Sequence, residues 1–181
     1  YWQNDLKVIE KFIDKENVLE TININILEKE IGLISLDIDG NDYWILEKII
    51  GIKPYIFICE YNPIFGDINL VSSLYDPVFD RTKKHYSNLY FGCSIKALIN
   101  LMKKNDYTFL GSNSKGMNAF FIRNDKFVNF KDSVKVKKIF EPVIKEARDK
   151  NGKMNFKTID KNFDLIKNLE VVDLKDNSKK K

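Results

Sequence analysis

The run LISLDIDGNDYWILEKI, residues 33–49, sets two acids, Asp37 and Asp39, in a stretch of Leu and Ile that otherwise reads as a strand buried on both faces, with Gly40 directly after. Taking a carboxylate out of water is costly unless something compensates it, so acids at such a place call for a reason. In an open parallel sheet, ligands bind beyond the carboxyl ends of the strands, and the two acids stand at such an end. Their spacing of two predicts both carboxylates on one side of the strand. The next apolar run ends in EYN, which adds Glu60 and Asn62 at the same spacing. If the two strands are neighbours, four polar side chains converge on one rim. A structural role also accounts for part of the pattern: Asp39 or Asn41 can cap the following helix, with Gly40 allowing the tight turn.

The elements that must position these residues follow from periodicity. LKVIEKFID (6–14) alternates like a strand, and Val18, Leu19, Ile22 and Ile26 then recur at helical spacing. IGLISLDID (31–39) predicts a second strand, GNDYWILEKIIG (40–51) a helix closed by Gly51, and PYIFICEYN (54–62) a third strand entered through Pro54. This alternation predicts a parallel sheet with helices on its faces. Residues 63–92 keep neither period, as a lid or binding loop would. His85 lies there as a candidate base, and Tyr75, Tyr86, Tyr90 and Phe91 can furnish a sugar-stacking lid or pack the loop down. SIKALINLMKKNDY predicts a helix with Ile95, Leu98, Ile99 and Met102 on one side. TFLGS and MNAFFIRN, joined by NSKG, predict a closing antiparallel hairpin.

At 181 residues and 44% hydrophobic content, the chain is long enough for one domain with a substantial core. No apolar run approaches the roughly 20 residues of a membrane span, and the first residues lack a secretory signal, so a soluble cytoplasmic protein is expected. Cys59 and Cys93 show no metal or disulfide spacing and are expected as reduced structural thiols. The net charge of +4 is uneven. Residues 1–127 carry 15 Lys/Arg against 17 Asp/Glu, and residues 128–181 carry 15 against 9. The basic segment interleaves acids at helical period, which predicts a solvated helical extension in preference to a nucleic-acid surface. Its apolar stripes are Val136, Ile139, Phe140, Val143 and Ile144, then Phe156, Ile159, Phe163 and Ile166, with Pro142 interrupting the first.

An apolar strand ending in DxDG also opens the haloacid-dehalogenase-type phosphatases, where the first Asp attacks phosphorus and the second serves as acid and base. Here Asn41 follows the glycine, a strand–helix unit precedes it, and no later strand ends in paired acids. Phosphatase chemistry is the weaker expectation.

Taken in order, LISLDIDGNDYWILEKI, YIFICEYNPIFG, YDPVFDR and YFGCSIKALINLMKKNDYTFLGSNSKGMNAFFIRND resemble the C-terminal two-thirds of an FkbM-type methyltransferase domain, in the class I S-adenosylmethionine (SAM)-dependent superfamily. The resemblance runs from about Leu6 to Phe127, dividing the chain into a partial methyltransferase domain (1–127) and a basic helical extension (128–181). It implies a Rossmann-like sheet of order 3-2-1-4-5-7-6 with the last strand antiparallel, in which 6–14 is strand 3, 31–39 strand 4, 54–62 strand 5 and the hairpin strands 6 and 7. The first two strands and the glycine-rich SAM turn have no counterpart, for no GxGxG occurs in the chain. Unless upstream sequence supplies that half, SAM is expected to bind poorly. The resemblance further implies Ile13 and Asp14 at the adenine edge of SAM and Asp37 at its methionine end. The acceptor it implies is a hydroxyl of a glycan or small metabolite, with Asp39 as the candidate base and Glu60 and His85 as alternatives. By analogy with catechol-type methyltransferases, Asp37, Glu60 and Asn62 are candidate Mg²⁺ ligands. A non-catalytic remnant that binds a partner through its basic tail is the alternative from a different class.

Overall fold

The computed structural model describes residues 7–26, 29–131, 142, 144 and 146–180. Helix α1 (Val18–Asn25) starts on a reciprocal turn. Asp14 Oδ1 accepts from the backbone N of Glu16 and Asn17, and Asn17 Oδ1 accepts from Asp14 N. Strand β1 (Leu33–Leu36) then leads into α2 (Asp42–Ile49), which tightens into a 3-10 turn at Ile50–Ile52. The helix is closed by Lys53 in a left-handed conformation (φ 55°), and the expected closer, Gly51, lies inside the 3-10 turn. Strand β2 (Ile56–Glu60) follows, then the short strand β3 (Val71–Ser73) and the single turn α3 (Arg81–Lys84). Next come α4 (Ile95–Lys104), β4 (Tyr107–Ser112), β5 (Asn118–Arg123) and α5 (Asn124–Phe127). Ser94 starts α4 by accepting from Ala97 N at 3.1 Å, the cap position its side chain favours.

The main sheet is mixed, with order β1-β2-β5-β4. Strands β1 and β2 are parallel, while β5 runs antiparallel to both β2 and β4, so the expected hairpin is present. The register sets Ile34 beside Phe57 and Leu36 beside Cys59, and continues through Phe57–Phe121 and Cys59–Ala119. These residues share one face. Ile45, Leu46 and Ile49 of α2 and Leu98 and Met102 of α4 pack with them into the main core, all at most 1% exposed. On the other face Leu33, Ile56, Ile58 and Phe120 are exposed or half-buried. Parallel strands closed by an antiparallel pair are thus found as expected, but among the described residues the main core lies on one face of the sheet.

The strand expected over 6–14 does not form among its described residues 7–14. A strand exists only where its backbone finds a partner, and among the described residues this stretch has none: Val8 is 77% and Phe12 62% exposed, while Ile13 packs against the main core. The segment after Phe127 is not purely helical either. It supplies α6 (Ile159–Ile166) and strands β6 (Val171–Asp173) and β7 (Ser178–Lys180). Strand β6 pairs antiparallel with β3 and β7, giving a second sheet of order β3-β6-β7. A second apolar cluster joins Ile64, Phe65, Phe79, Leu89, Tyr90 and Phe91 to Ala147 and Ile166. Tyr90 and Phe91 are therefore interior residues that pack the long loop down. Of the helical stripe expected on Val136, Ile139, Phe140, Val143 and Ile144, the first four lie outside the described residues, and Ile144 packs against the second apolar cluster. No helix among those described is long and apolar enough to cross a membrane.

Candidate acidic site

Strand β1 ends at Leu36, so Asp37 and Asp39 stand in the turn between β1 and α2. Asp39 takes a left-handed conformation (φ 57°), which Asp tolerates better than most residues. Gly40 is required for space: a Cβ there would lie 2.2 Å from ring atoms of Phe79. The helix start is braced by neither Asp39 nor Asn41. Asp42, fully buried, accepts from Ile38 N through Oδ1 and from Gly40 N through Oδ2, both at 3.0 Å. The Asn41 amide instead donates to Asp76 O at 2.7 Å, tying the turn to the long loop. That loop is also held at Gly40, whose carbonyl accepts from Gly92 N at 3.0 Å and from Ser73 Oγ at 3.3 Å.

The parallel pairing Leu36–Cys59 brings the next residues of the two strands to the same rim. Carboxylate oxygens of Asp37, Asp39 and Glu60 lie within 4.8 Å of one another. Asp37 and Asp39 are exposed, whereas Glu60 is only 6% exposed, and its Oε2 has no hydrogen-bond partner among the described residues. Burial, reinforced by Asp42 and Asp37 and opposed by Arg81, pushes the Glu60 carboxyl up to about 9. Burial also raises Asp42 to about 6, against the backbone bonds that favour its ionised form, and raises Asp37, with Asp39 adding to the effect.

Arg81, from α3, reaches into this group. Its Nη1 lies 2.9 Å from both Asp39 Oδ1 and Glu146 Oε2, its Nε donates to Asn88 O at 2.7 Å, and its guanidinium stacks 3.7 Å from the Phe91 ring centre. A cavity of about 470 Å³ opens beside it, lined by Phe12, Asp39, Phe79, Arg81, Asn88 and Glu146 among others. A smaller one of about 200 Å³ is walled by Lys11, Phe12, Ile13, Ile38, Asn41 and Phe79. The two share Phe12 and Phe79.

Of the residues singled out from sequence, Asp37, Asp39 and Glu60 come together and Ile13 lines the smaller cavity. Asn62 is employed elsewhere. Fully buried, it donates to Leu89 O and Phe91 O and accepts from Ile64 N, which stitches the long loop to the end of β2. Its place beside Asp37 and Glu60 is taken by Asp39. Asp14 is engaged in starting α1. His85 lines neither cavity: its Nδ1 lies 2.6 Å from Ser87 Oγ, and burial lowers its pKa. Asp42, Phe79, Arg81 and Glu146 were not foreseen. A signal existed for Asp42, an acid in the first turn of a helix, but none for Arg81, which comes from a stretch without periodicity. Both cysteines are free and buried.

No family model, curated protein or solved structure matches the chain significantly.

Proposed function

We propose that the chain is the later part of a SAM-dependent methyltransferase that acts on a hydroxyl of a glycan or small metabolite. The observation that carries this reading is the meeting of Asp37, Asp39 and Glu60 at the C-terminal ends of the parallel strands β1 and β2. It is supported by the sheet order β1-β2-β5-β4, which with its strand directions corresponds to the 4-5-7-6 portion of the Rossmann-like sheet that the sequence resemblance implies.

SAM, when bound, supplies an electrophilic methyl carbon. Phe12, Ile13, Ile38 and Phe79 offer apolar walls suited to a flat heterocycle, with Lys11 and Asn41 at the same cavity. Without a glycine-rich turn the fit extends to the base end of SAM only. Toward the acceptor, Arg81 orients Asp39 on the wall of the larger cavity, where its carboxylate takes the hydroxyl proton.

The test is transfer of labelled methyl from SAM to a panel of sugar and small-molecule hydroxyls by the product of the complete open reading frame. Asp39→Asn is expected to lower turnover by roughly 10²-fold or more while leaving SAM affinity in place. Absence of SAM binding, or turnover unchanged by Asp39→Asn, overturns the reading.

A further inference from the structure

We propose that Asp37, Asp39 and Glu60 form a binding site for a hard divalent cation. Three carboxyl groups from the ends of two strands approach within 4.8 Å. Asp37 makes no side-chain hydrogen bond among the described residues, and Glu60, only 6% exposed, brings one carboxyl oxygen into the group while its buried Oε2 has no hydrogen-bond partner there. A buried oxygen left without a donor forfeits its hydration for nothing in return unless a ligand completes it. Arg81 does not do so, since its Nη1 is shared between Asp39 and Glu146.

The donor set selects the ligand. All three ligands are carboxylate oxygens, with no imidazole or thiolate in the group, which favours Mg²⁺, Mn²⁺ or Ca²⁺ over zinc or copper. Two oxygens at the 4.8 Å limit would each lie about 2.4 Å from a cation midway between them, a Ca²⁺ distance, whereas Mg²⁺ at about 2.1 Å requires them to draw in. The exposed faces of Asp37 and Asp39 leave room for water or an acceptor hydroxyl to complete the coordination. This inference deepens the methyltransferase reading, because a cation there would sit beside the acceptor oxygen, but its test uses neither SAM nor acceptor.

The experiment titrates the metal-free full chain with Mn²⁺, Ca²⁺ and Mg²⁺ in separate arms, followed by calorimetry and, for Mn²⁺, by the electron paramagnetic resonance signal of the free ion. One saturable site per chain is expected, with Glu60→Gln and Asp37→Asn each weakening it tenfold or more, and with Asp67→Asn, an exposed acid outside the cluster, leaving it unchanged. Asp37 is exposed, so its variant keeps the test decisive should Glu60→Gln not fold. No saturable binding with any of the three ions overturns the proposal, as does a site that Asp37→Asn leaves at full affinity. Cation binding without methyl transfer would uphold this site and sink the methyltransferase reading, and methyl transfer without cation binding would do the reverse.

Discussion

Glu60→Gln should change how stability depends on pH. In the folded chain the Glu60 carboxyl keeps its proton to about 9, while in the unfolded chain it titrates near its ordinary 4.5. Between those values the folded state holds one more proton than the unfolded state, so stability falls as pH rises and the penalty is absent only below the unfolded value. The slope is about 1.4 kcal/mol per pH unit, or about 4 kcal/mol between pH 5 and pH 8. Gln has the same shape and does not titrate. The stability of Glu60→Gln relative to wild type should therefore rise by about 4 kcal/mol over that interval, whichever protein is the more stable at pH 5. Asp42, raised to about 6, imposes a similar slope at lower pH, but it does so in both proteins and drops out of the difference. The assay is urea unfolding at pH 5, 6, 7 and 8 with a chelator present, followed by tryptophan fluorescence, to which Trp44 contributes with an indole that donates to Ser73 O within the fold. A difference that stays flat from pH 5 to pH 8 would mean that Glu60 is ionised in the folded state, and the account of its burial would be wrong.

Gly40→Ala should destabilise by about 1–3 kcal/mol, the usual cost of overpacking, because the new methyl meets the Phe79 ring. Combining it with Phe79→Leu should recover part of the loss, and strict additivity of the two in thermal melts would refute the clash. Truncation after residue 129 should lower the melting midpoint, since it strips β6 from β3 and removes Ala147 and Ile166 from the second apolar cluster, with about 2 kcal/mol at stake in Ile166 alone. An unchanged midpoint would show the tail to be dispensable.

Much of this molecule is legible in its local sequence, and the reason is that periodicity reports on neighbours along the chain. The stripe of Ile95, Leu98 and Met102 behind the Ser94 cap is enough to define α4, and two β-rich runs around NSKG are enough to define the β4–β5 hairpin. Acids after two apolar runs also pointed to the rim where Asp37, Asp39 and Glu60 meet. How they meet was a tertiary matter. The spacing argument placed Asp37 and Asp39 on one side of a strand, yet β1 stops at Leu36, and a left-handed residue at Asp39 with the close approach of Phe79 at Gly40 shapes the turn that presents them. Which acid faces inward was decided by backbone donors: Ile38 N and Gly40 N claim Asp42, and the amide of Asn62 is claimed by carbonyls 27 and 29 residues away. Residues 7–14 alternate like a strand but find no edge to pair with among the described residues, whereas Val71–Ser73, in a stretch with no period, becomes a strand because β6 arrives from 100 residues downstream in the register Ser72–Val172. Arg81 likewise reaches Asp39 across 42 residues. Pairing, burial and charge across such separations depend on which backbone edges and side chains the completed fold brings within a few ångströms, and that information is not carried by the spacing of residues along the chain.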